Sequence, residues 1–411
     1  MPSTRPPAAS QTRPSTAPAL RSTTFRTLLL SELVSLIGDR LVIVALVALV
    51  YEQTRSASAV GILMLLKAVP AVALGSLAGA LVDRWNRKWV MVGSNLAQGL
   101  LVLLIPLTHS LAVLFVAYLA MSIVNQLFIP ARAATIPDMV PPAALMAANS
   151  LFGAAFVGAI AIGPAVGGWV GENYGLDAAF YLDSLTFFVP AIAVALLRLP
   201  SRRSSPPAPQ GLSGEARAGW SYIRGRRPLL IALASTIGAF LVIAVMGVLG
   251  VVVAKDTLGL GTSGFGGMMS AMGVGMLAAV ILVGRSRGGS DRGRLGLIGL
   301  LLAGGSLTIL PLVTIVPSAM LLSAVMGVGI LTVQVSTQTT LQNVPADLRG
   351  RVMGANQTAT GLAQLLATGL TSLLAGAVGP SAVLIGTGLL VTLGAATLIT
   401  LVRPRPEGHF S

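Results

Sequence analysis

The sequence predicts an all-α polytopic membrane protein, with twelve transmembrane helices set in two pseudo-symmetric six-helix bundles. Three observations predict it. Of 411 residues, 54% are hydrophobic and only 10% are charged, far outside the usage of soluble domains. Twelve apolar stretches are each long enough to cross a bilayer. The basic residues also fall unevenly between the two sides of that threading. Of the 27 Lys and Arg, Arg55 and Lys255 lie on one side, Arg40 and Lys67 lie inside helices, and all the others lie on the opposite side. Such a bias marks the cytoplasmic face. The net charge of +14 therefore reports topology and does not imply a nucleic-acid partner.

Taken in order, residues 1–24 are rich in Pro, Ser, Thr and Ala, carry Arg but no acid, and read as a disordered cytoplasmic tail. Repeated prolines argue against an amphipathic transit peptide, and the first apolar run reads as a helix and not as a cleaved signal. The N-terminal bundle covers 25–198, with spans near 26–50, 57–82, 88–107, 111–131, 149–171 and 178–198. A linker over 199–228 follows. It contains Ser204-Ser205-Pro206-Pro207-Ala208-Pro209, then a stretch from Glu215 to Arg227 in which Trp220, Tyr222 and Ile223 alternate with arginines. That pattern predicts an amphipathic helix on the inner leaflet. The C-terminal bundle covers 229–402, with spans near 229–253, 263–284, 295–315, 318–341, 353–377 and 381–402, before a cytoplasmic tail over 403–411. An even number of spans puts both termini in the cytoplasm, which makes this a multi-pass protein of the cell's inner (plasma) membrane.

The two halves echo each other. Met146-Ala147-Ala148-Asn149 follows Pro137-Asp138 after the fourth span, and Met353-Gly354-Ala355-Asn356 follows Pro345-Ala346-Asp347 after the tenth. The offset is about half the chain, as two parallel six-helix repeats require. The turn Gly79-Ala80-Leu81-Val82-Asp83-Arg84-Trp85-Asn86-Arg87-Lys88 joins two long apolar runs, and Gly284 to Arg292 is its degraded counterpart in the second half. In the first turn Gly79 permits close helix approach, and Asp83 is suited to cap a helix N-terminus or pair with an arginine.

Several chemistries are excluded. Cysteine is absent, so there are no disulfides and no thiolate sites. His109 and His409 are too few for a metal cluster. Lys occurs only at 67, 88 and 255, and none follows Gly, so a phosphate-binding loop of the Walker type cannot form. No nucleophile–base pair or metal set points to an enzyme, and no cofactor is implied.

Charges inside a bilayer cost about 2.5–3.5 kcal/mol each on insertion scales, so they mark cavities or partners. The first span carries Glu32, Asp39 and Arg40, the second Lys67, and the sixth Asp183. Glu32 and Asp39 are seven residues apart and share a face at different depths, while Arg40 points about 100° away from Asp39. Lys67 lies near mid-membrane and could pair with Asp39. Asp183 lies either within the membrane or near its outer surface. This set predicts proton and substrate coupling at Glu32, Asp39, Arg40, Lys67 and Asp183, with a structural ion-pair cluster as the alternative. In the tenth span Gln334, Gln338 and Gln342 form an i, i+4 stripe, joined by Gln357 and Gln364 of the eleventh. Amides on one stripe cannot face lipid unsatisfied. Gln334, Gln338 and Gln364 are therefore expected to line a central cavity for a moderately polar small molecule, or to join helices. Gly163-Pro164-Ala165-Val166-Gly167-Gly168 in the fifth span supplies a small-residue packing face and a kink.

These stretches resemble the major facilitator superfamily across about residues 25–402. G-x-L-x-D-R-x-x-R-K is similar to that family's loop between its second and third helices, and Gly163-Pro164 with Gly167-Gly168 to its exporter signature. Ser35-Leu36-Ile37-Gly38-Asp39, Pro130-Ala131-Arg132 with Pro137-Asp138, and Leu341-Gln342-Asn343-Val344-Pro345 running into Arg349-Gly350-Arg351 resemble the macrolide-efflux and enterobactin-exporter group of drug:proton antiporters. The resemblance implies a monomer in the membrane lipid that exports a drug-like or siderophore-like small molecule against protons, by alternating access. It further implies gating by Gly79, Asp83, Arg84, Arg87, Lys88, Arg132, Gly163, Pro164, Gly167, Gly168, Arg349 and Arg351, with Asp83 as the counter-charge in its half. The arginine that many such antiporters carry early in the fourth span is missing here. A lysophospholipid flippase or a solute importer of the same fold are the alternatives.

Overall fold

The computed structural model describes residues 17–108, 110–198, 212–285 and 292–401. A short helix α1 (Ala17–Arg21) precedes α2 (Thr23–Thr54), so helix begins within the segment expected to be a tail. Ser22 explains the start of α2, because its hydroxyl accepts the Phe25 N–H at 3.3 Å as an N-cap. The first bundle continues with α3 (Ala57–Val82), α4 (Arg87–Thr108), α5 (Leu111–Thr135), α6 (Leu145–Asn173) and α7 (Leu176–Leu196). Helix α8 (Leu212–Arg224) connects to the second bundle: α9 (Arg227–Val252), α10 (Thr262–Arg285), α11 (Arg292–Ile309), α12 (Val316–Gln342), α13 (Ala346–Val378) and α14 (Pro380–Leu401). Twelve of these helices are long and apolar enough to cross a membrane.

The spans sit where the apolar runs predict, but α6 and α13 each start earlier, at Leu145 and Ala346. Both take in the Met-x-Ala-Asn echo, which begins at the second residue of α6 and the eighth of α13, so the repeated sequence falls in corresponding helices but not at the same distance from their starts. The second sign of repetition is conformational. Gly175 (φ 87°) separates α6 from α7, and Gly379 (φ 88°) separates α13 from α14. Each sits at the same turn of its half, in a backbone region only glycine enters freely.

Successive spans run antiparallel, so one side of the molecule gathers the helix ends near Arg84, Arg132, Arg226 and Arg349. This is the basic side. The far side holds the α2–α3, α6–α7 and α9–α10 connections. Helix α8 packs on the second bundle at the basic side. Its Ile223 is buried with Leu229, Leu341, Val344 and Val352, while Trp220 stays exposed. The expected amphipathic helix therefore lies three residues earlier than the 215–227 stretch, anchored on α13 by Gly219 against the Arg351 backbone. The Pro-rich linker and most of the Gly284–Arg292 stretch lie outside the described residues.

Within the first bundle α2 packs on α6 and α7, α4 on α5 and α7, and α3 on α5. Two seams join the bundles: α6 with α10, and α3 with α13. On the α6–α10 seam Gly168 faces Ser263 and Thr262, Gly266 faces the Pro164 carbonyl, and Gly273 faces the Ala161 backbone. On the other, Gly61 faces Ser372 and Gly361 faces Val72. Glycines at both seams let backbones approach as lipid-embedded helices require.

Candidate functional site

Helix α2 carries a polar face of Ser31, Glu32 and Ser35, all buried, leading to half-buried Asp39 and Arg40 at mid-helix. Seven residues put Glu32 about 10 Å nearer the basic side than Asp39. The Arg132 guanidinium of α5 donates to Glu32 Oε1 at 2.7 Å, and it lies 5.6 Å from the Phe152 ring centroid of α6. One turn further along α6, Phe156 carries the Arg40 guanidinium at 4.8 Å. Two aromatic rings at i, i+4 thus back two cations, each at cation–π distance. The sequence lists Glu32 and Arg132 in separate roles; the fold makes them one ion pair.

Asp39 lies within electrostatic reach of Arg40, Lys67 and Arg132. Lys67 is exposed on the protein's own surface. Buried Tyr118 of α5 lies within electrostatic reach of Asp39, Arg40 and Asp183. Asp183 is not at the outer surface. It is fully buried on α7, against Gly38, where an added Cβ would come within 2.5 Å of its Oδ1. The absent Cβ at Gly38 is what lets α7 seat there, beside the residue that carries the Asp39 carboxylate.

Helix α6 packs on α2 through Gly163, whose missing Cβ leaves room for Arg40 Cβ and the Ile37 carbonyl, and through Gly167 against the Leu41 backbone. Gly168 looks the other way, to α10. Pro164 lies inside the continuous helix, and the next residue's N–H, that of Ala165, donates to Ser270 Oγ of α10 at 2.7 Å. Ser270 carries no sequence signal of its own, yet it bridges the halves beside Pro164.

The expected gating residues divide. Gly79 faces open space and makes no close helix contact. Asp83 is no helix N-cap and is not the counter-charge seen here. It ends α3, its N–H donating to the Gly79 carbonyl at 3.1 Å. The N-terminal cap of α4 is Asn86, whose Oδ1 accepts the Lys88 N–H at 3.1 Å. Arg87 instead meets Asp138 at 3.5 Å and the Ala134 carbonyl at 2.9 Å. Lys88 donates to the Leu197 carbonyl at 2.7 Å, and Arg84 is exposed. Arg349 folds back onto the Val344 carbonyl at 3.2 Å, and Arg351 packs under α8. These contacts of Arg132, Arg87 and Arg349 stay within their own halves.

Contacts between halves gather on the far side. After Val252 the chain makes a π turn, Val253–Thr257, which presents Lys255 to Glu52 and Asp256 to the Tyr51 hydroxyl. Glu172 of α6 accepts the Ser263 N–H at 2.8 Å, satisfying a free donor at the start of α10. Ser58 Oγ donates to the Ser372 carbonyl at 2.7 Å. Toward the basic side, Gly153 and Gly158 of α6 face open space.

Among the glutamines, Gln334 and Gln364 are half-buried and Gln338, Gln342 and Gln357 are exposed. Helix–helix joining falls instead to Thr337, whose hydroxyl meets Thr236 Oγ1 of α9 at 2.8 Å.

A family model described as Major Facilitator Superfamily matches residues 28–368. The uncharacterized MFS-type transporter YfiS of Bacillus subtilis is 28% identical over 387 residues, covering 91% of this chain and 92% of that protein. Macrolide efflux protein A of Streptococcus pyogenes is 28% identical over 43% of this chain and 45% of its own length. Multidrug resistance protein 1 of Bacillus subtilis is 24% identical over 47% of this chain and 49% of its own. The fold is shared with a bacterial homologue of the human lysosomal transporter Spinster, at TM-score 0.70 and 14% identity over 93% of this chain and 95% of that one. A POT family transporter in complex with 5-aminolevulinic acid aligns at TM-score 0.74 and 12% identity, over 92% and 95%. Twelve helices long and apolar enough to cross a membrane, with a polar cluster inside the first bundle, thus coincide with a family match over most of the sequence: this chain is a transporter of the major facilitator superfamily.

Proposed function

We propose that the chain is a proton-coupled exporter of drug-like or natural-product small molecules, working by alternating access with its basic side in the cytoplasm. The observation that carries this reading is the charge cluster on α2, α3 and α5. Asp39 lies near the middle of α2, within electrostatic reach of Arg40, Lys67 and Arg132, where a carboxylate can exchange the influence of those cations for a proton as the site turns from one side to the other. The relatives named for macrolide efflux and multidrug resistance favour export. Gln334, Gln338 and Gln364 offer neutral donors and acceptors to a moderately polar ligand. A potential of 100 mV is worth about 2.3 kcal/mol per charge, so one net charge per cycle sustains roughly a fifty-fold gradient.

The test is a susceptibility panel in an efflux-deficient host, covering macrolides, cationic dyes and catecholate siderophores. Proton-driven uptake of the best compound into everted vesicles follows. Protection by the wild-type chain, lost in Asp39→Asn at equal membrane abundance, is expected. Protection and uptake that ignore the proton gradient would overturn the coupling.

A further inference from the structure

The two seams decide which helix faces look from one half to the other. In the first bundle α3 and α6 carry the seams, and α3 packs on α5 as α6 does on α2. The α2 and α5 faces between the seams therefore look toward the second bundle, where α9 and α12 lie between α13 and α10 in the same way. The two walls of this gap differ in charge. From α9 to α14 ionisable side chains stand only near helix ends, and α12 and α14 have none. The second wall therefore offers neutral groups at mid-span, such as the exposed Gln338. On the first wall Arg40 is half-buried and Lys67 is exposed. Cations at this depth do not stand toward hydrocarbon, so both face the gap. Lys67 lies within electrostatic reach of Arg40 and Asp39. Among the described residues neither cation has a hydrogen-bond or ion-pair partner, and the buried Arg40 Nε is left unsatisfied. Arg132, by contrast, is taken by Glu32. Glu32 and Asp183 are buried within the bundle, so the wall presents two cations and one carboxylate, Asp39. Beside Arg40 the Phe156 ring, 4.8 Å from its guanidinium, is 42% exposed.

We propose that this wall takes the anionic group of the ligand, and that the chain carries organic anions: compounds with a carboxylate, sulfonate or phosphate on an apolar ring body. Arg40 keeps its charge in any environment and presents a planar set of donors, while Lys67 adds a mobile ammonium. An anionic group set between them gains charge-assisted hydrogen bonds from both, and its ring body lies along Phe156. A cation in the same place meets two like charges with only Asp39 to offset them, so the site selects by repulsion as well as by attraction. The neutral second wall adds hydrogen bonds without reversing that preference. The inference deepens the export reading and rests on it for the movement of ligand, while the sign of the ligand's charge follows from Arg40 and Lys67 alone.

The test uses two dyes that share a three-ring body, anionic carboxyfluorescein and cationic rhodamine 123. Binding to the purified full chain in lipid nanodiscs is read by fluorescence anisotropy at neutral pH, over empty discs and with no proton gradient. Carboxyfluorescein is expected to bind tighter than rhodamine 123 by about tenfold or more, the factor that one charge-assisted contact supplies. Arg40→Gln and Lys67→Met should each weaken the anion by about that factor and leave the cation no weaker. Arg40→Lys should recover part of the loss, and Lys67→Glu should turn the preference toward rhodamine 123. Lys67→Met, at an exposed position, serves if Arg40→Gln does not fold. Preference for the cation, equal binding, binding of neither dye, or an anion affinity that the substitutions leave unchanged overturns the inference. Vesicle transport then separates the two readings. Carboxyfluorescein that binds as expected but ignores a proton gradient sinks the coupled export and leaves the anion site standing. Proton-driven export of rhodamine 123 alone sinks the anion site and leaves the coupled export.

Discussion

At the scale of single residues, the membrane interior of the first bundle sorts charges by partner. Arg132 closes on a Glu32 that is only 4% exposed, while its own side chain is 24% exposed. Removing one member of a buried pair typically costs about 3–5 kcal/mol, because the other charge stays behind in low dielectric. Arg132 is partly wetted, so the lower end of that range applies. Arg132→Ala is therefore expected to lower thermal stability in detergent, and Arg132→Ala with Glu32→Gln to recover much of the loss, since the second change removes the orphaned charge. A double variant no more stable than Arg132→Ala alone would mean that the pair contributes little. Asp39 behaves otherwise. Asn at position 39 keeps its shape and removes a charge that Arg40, Lys67 and Arg132 share. The expected outcome of Asp39→Asn is an intact fold with loss of gradient-driven transport, read as equal abundance and melting but no proton-dependent uptake.

At the scale of elements, α6 does the most. It packs on α2 with Gly163 and Gly167 and on α10 with Gly168, so one helix touches both halves through a face that has no side chains. Gly167→Val would drive methyls into the Leu41 backbone, which cannot turn aside as a side chain can, so a cost of about 1–3 kcal/mol or more is expected. Gly158→Val on the same helix faces open space and is the control; equal melting of the two variants would contradict the packing. The glycine-proline run of α6 was legible in the sequence as a packing face, because small residues and proline act through local geometry. The twelve spans and their repeat were legible for a similar reason: length, apolarity and loop charge act along the chain. Partnerships were not. Pairing of Glu32 with Arg132, of Arg87 with Asp138, and of Ser270 with the Ala165 N–H joins positions 51 to 105 residues apart or, for the first pair, 100 apart. Nothing in residue type or spacing selects among such partners. Asn86 shows the converse: its side chain acts within two residues of itself, as the cap that starts α4. Asp83 was read from its type as a cap or counter-charge, but the turn after Val82 uses its backbone to end α3.

At the scale of the whole molecule, side-chain contacts between the halves cluster on the far side. Glu52 with Lys255, Tyr51 with Asp256, Glu172 with the Ser263 N–H, and Ser58 with the Ser372 carbonyl tie α2, α3 and α6 of one half to the π turn, α10 and α13 of the other. Charges are scarce on this side, and several of them are spent on the closure. If the halves rock about the two glycine seams, these contacts must all break before the far side opens. The protein has no cysteine, so a lock can be placed there without other substitutions. Ser58 and Ser372 touch in this conformer, at 2.7 Å from hydroxyl to carbonyl. Ser58→Cys with Ser372→Cys is expected to form a disulfide under mild oxidant, to stop transport while it is closed, and to regain transport when reduced. Lys255→Glu works in the opposite sense. It sets a second acid against Glu52, and like charges in contact disfavour closure. In that background, a single cysteine at Ser58 should react faster with a membrane-impermeant maleimide added from the far side than it does with Lys255 in place, and Glu52→Lys added to Lys255→Glu should restore the slow rate. Transport that continues through an oxidised Ser58→Cys/Ser372→Cys pair would mean that the halves do not part along this edge. The rocking movement, and with it the role given to the far-side contacts, would then have to be abandoned.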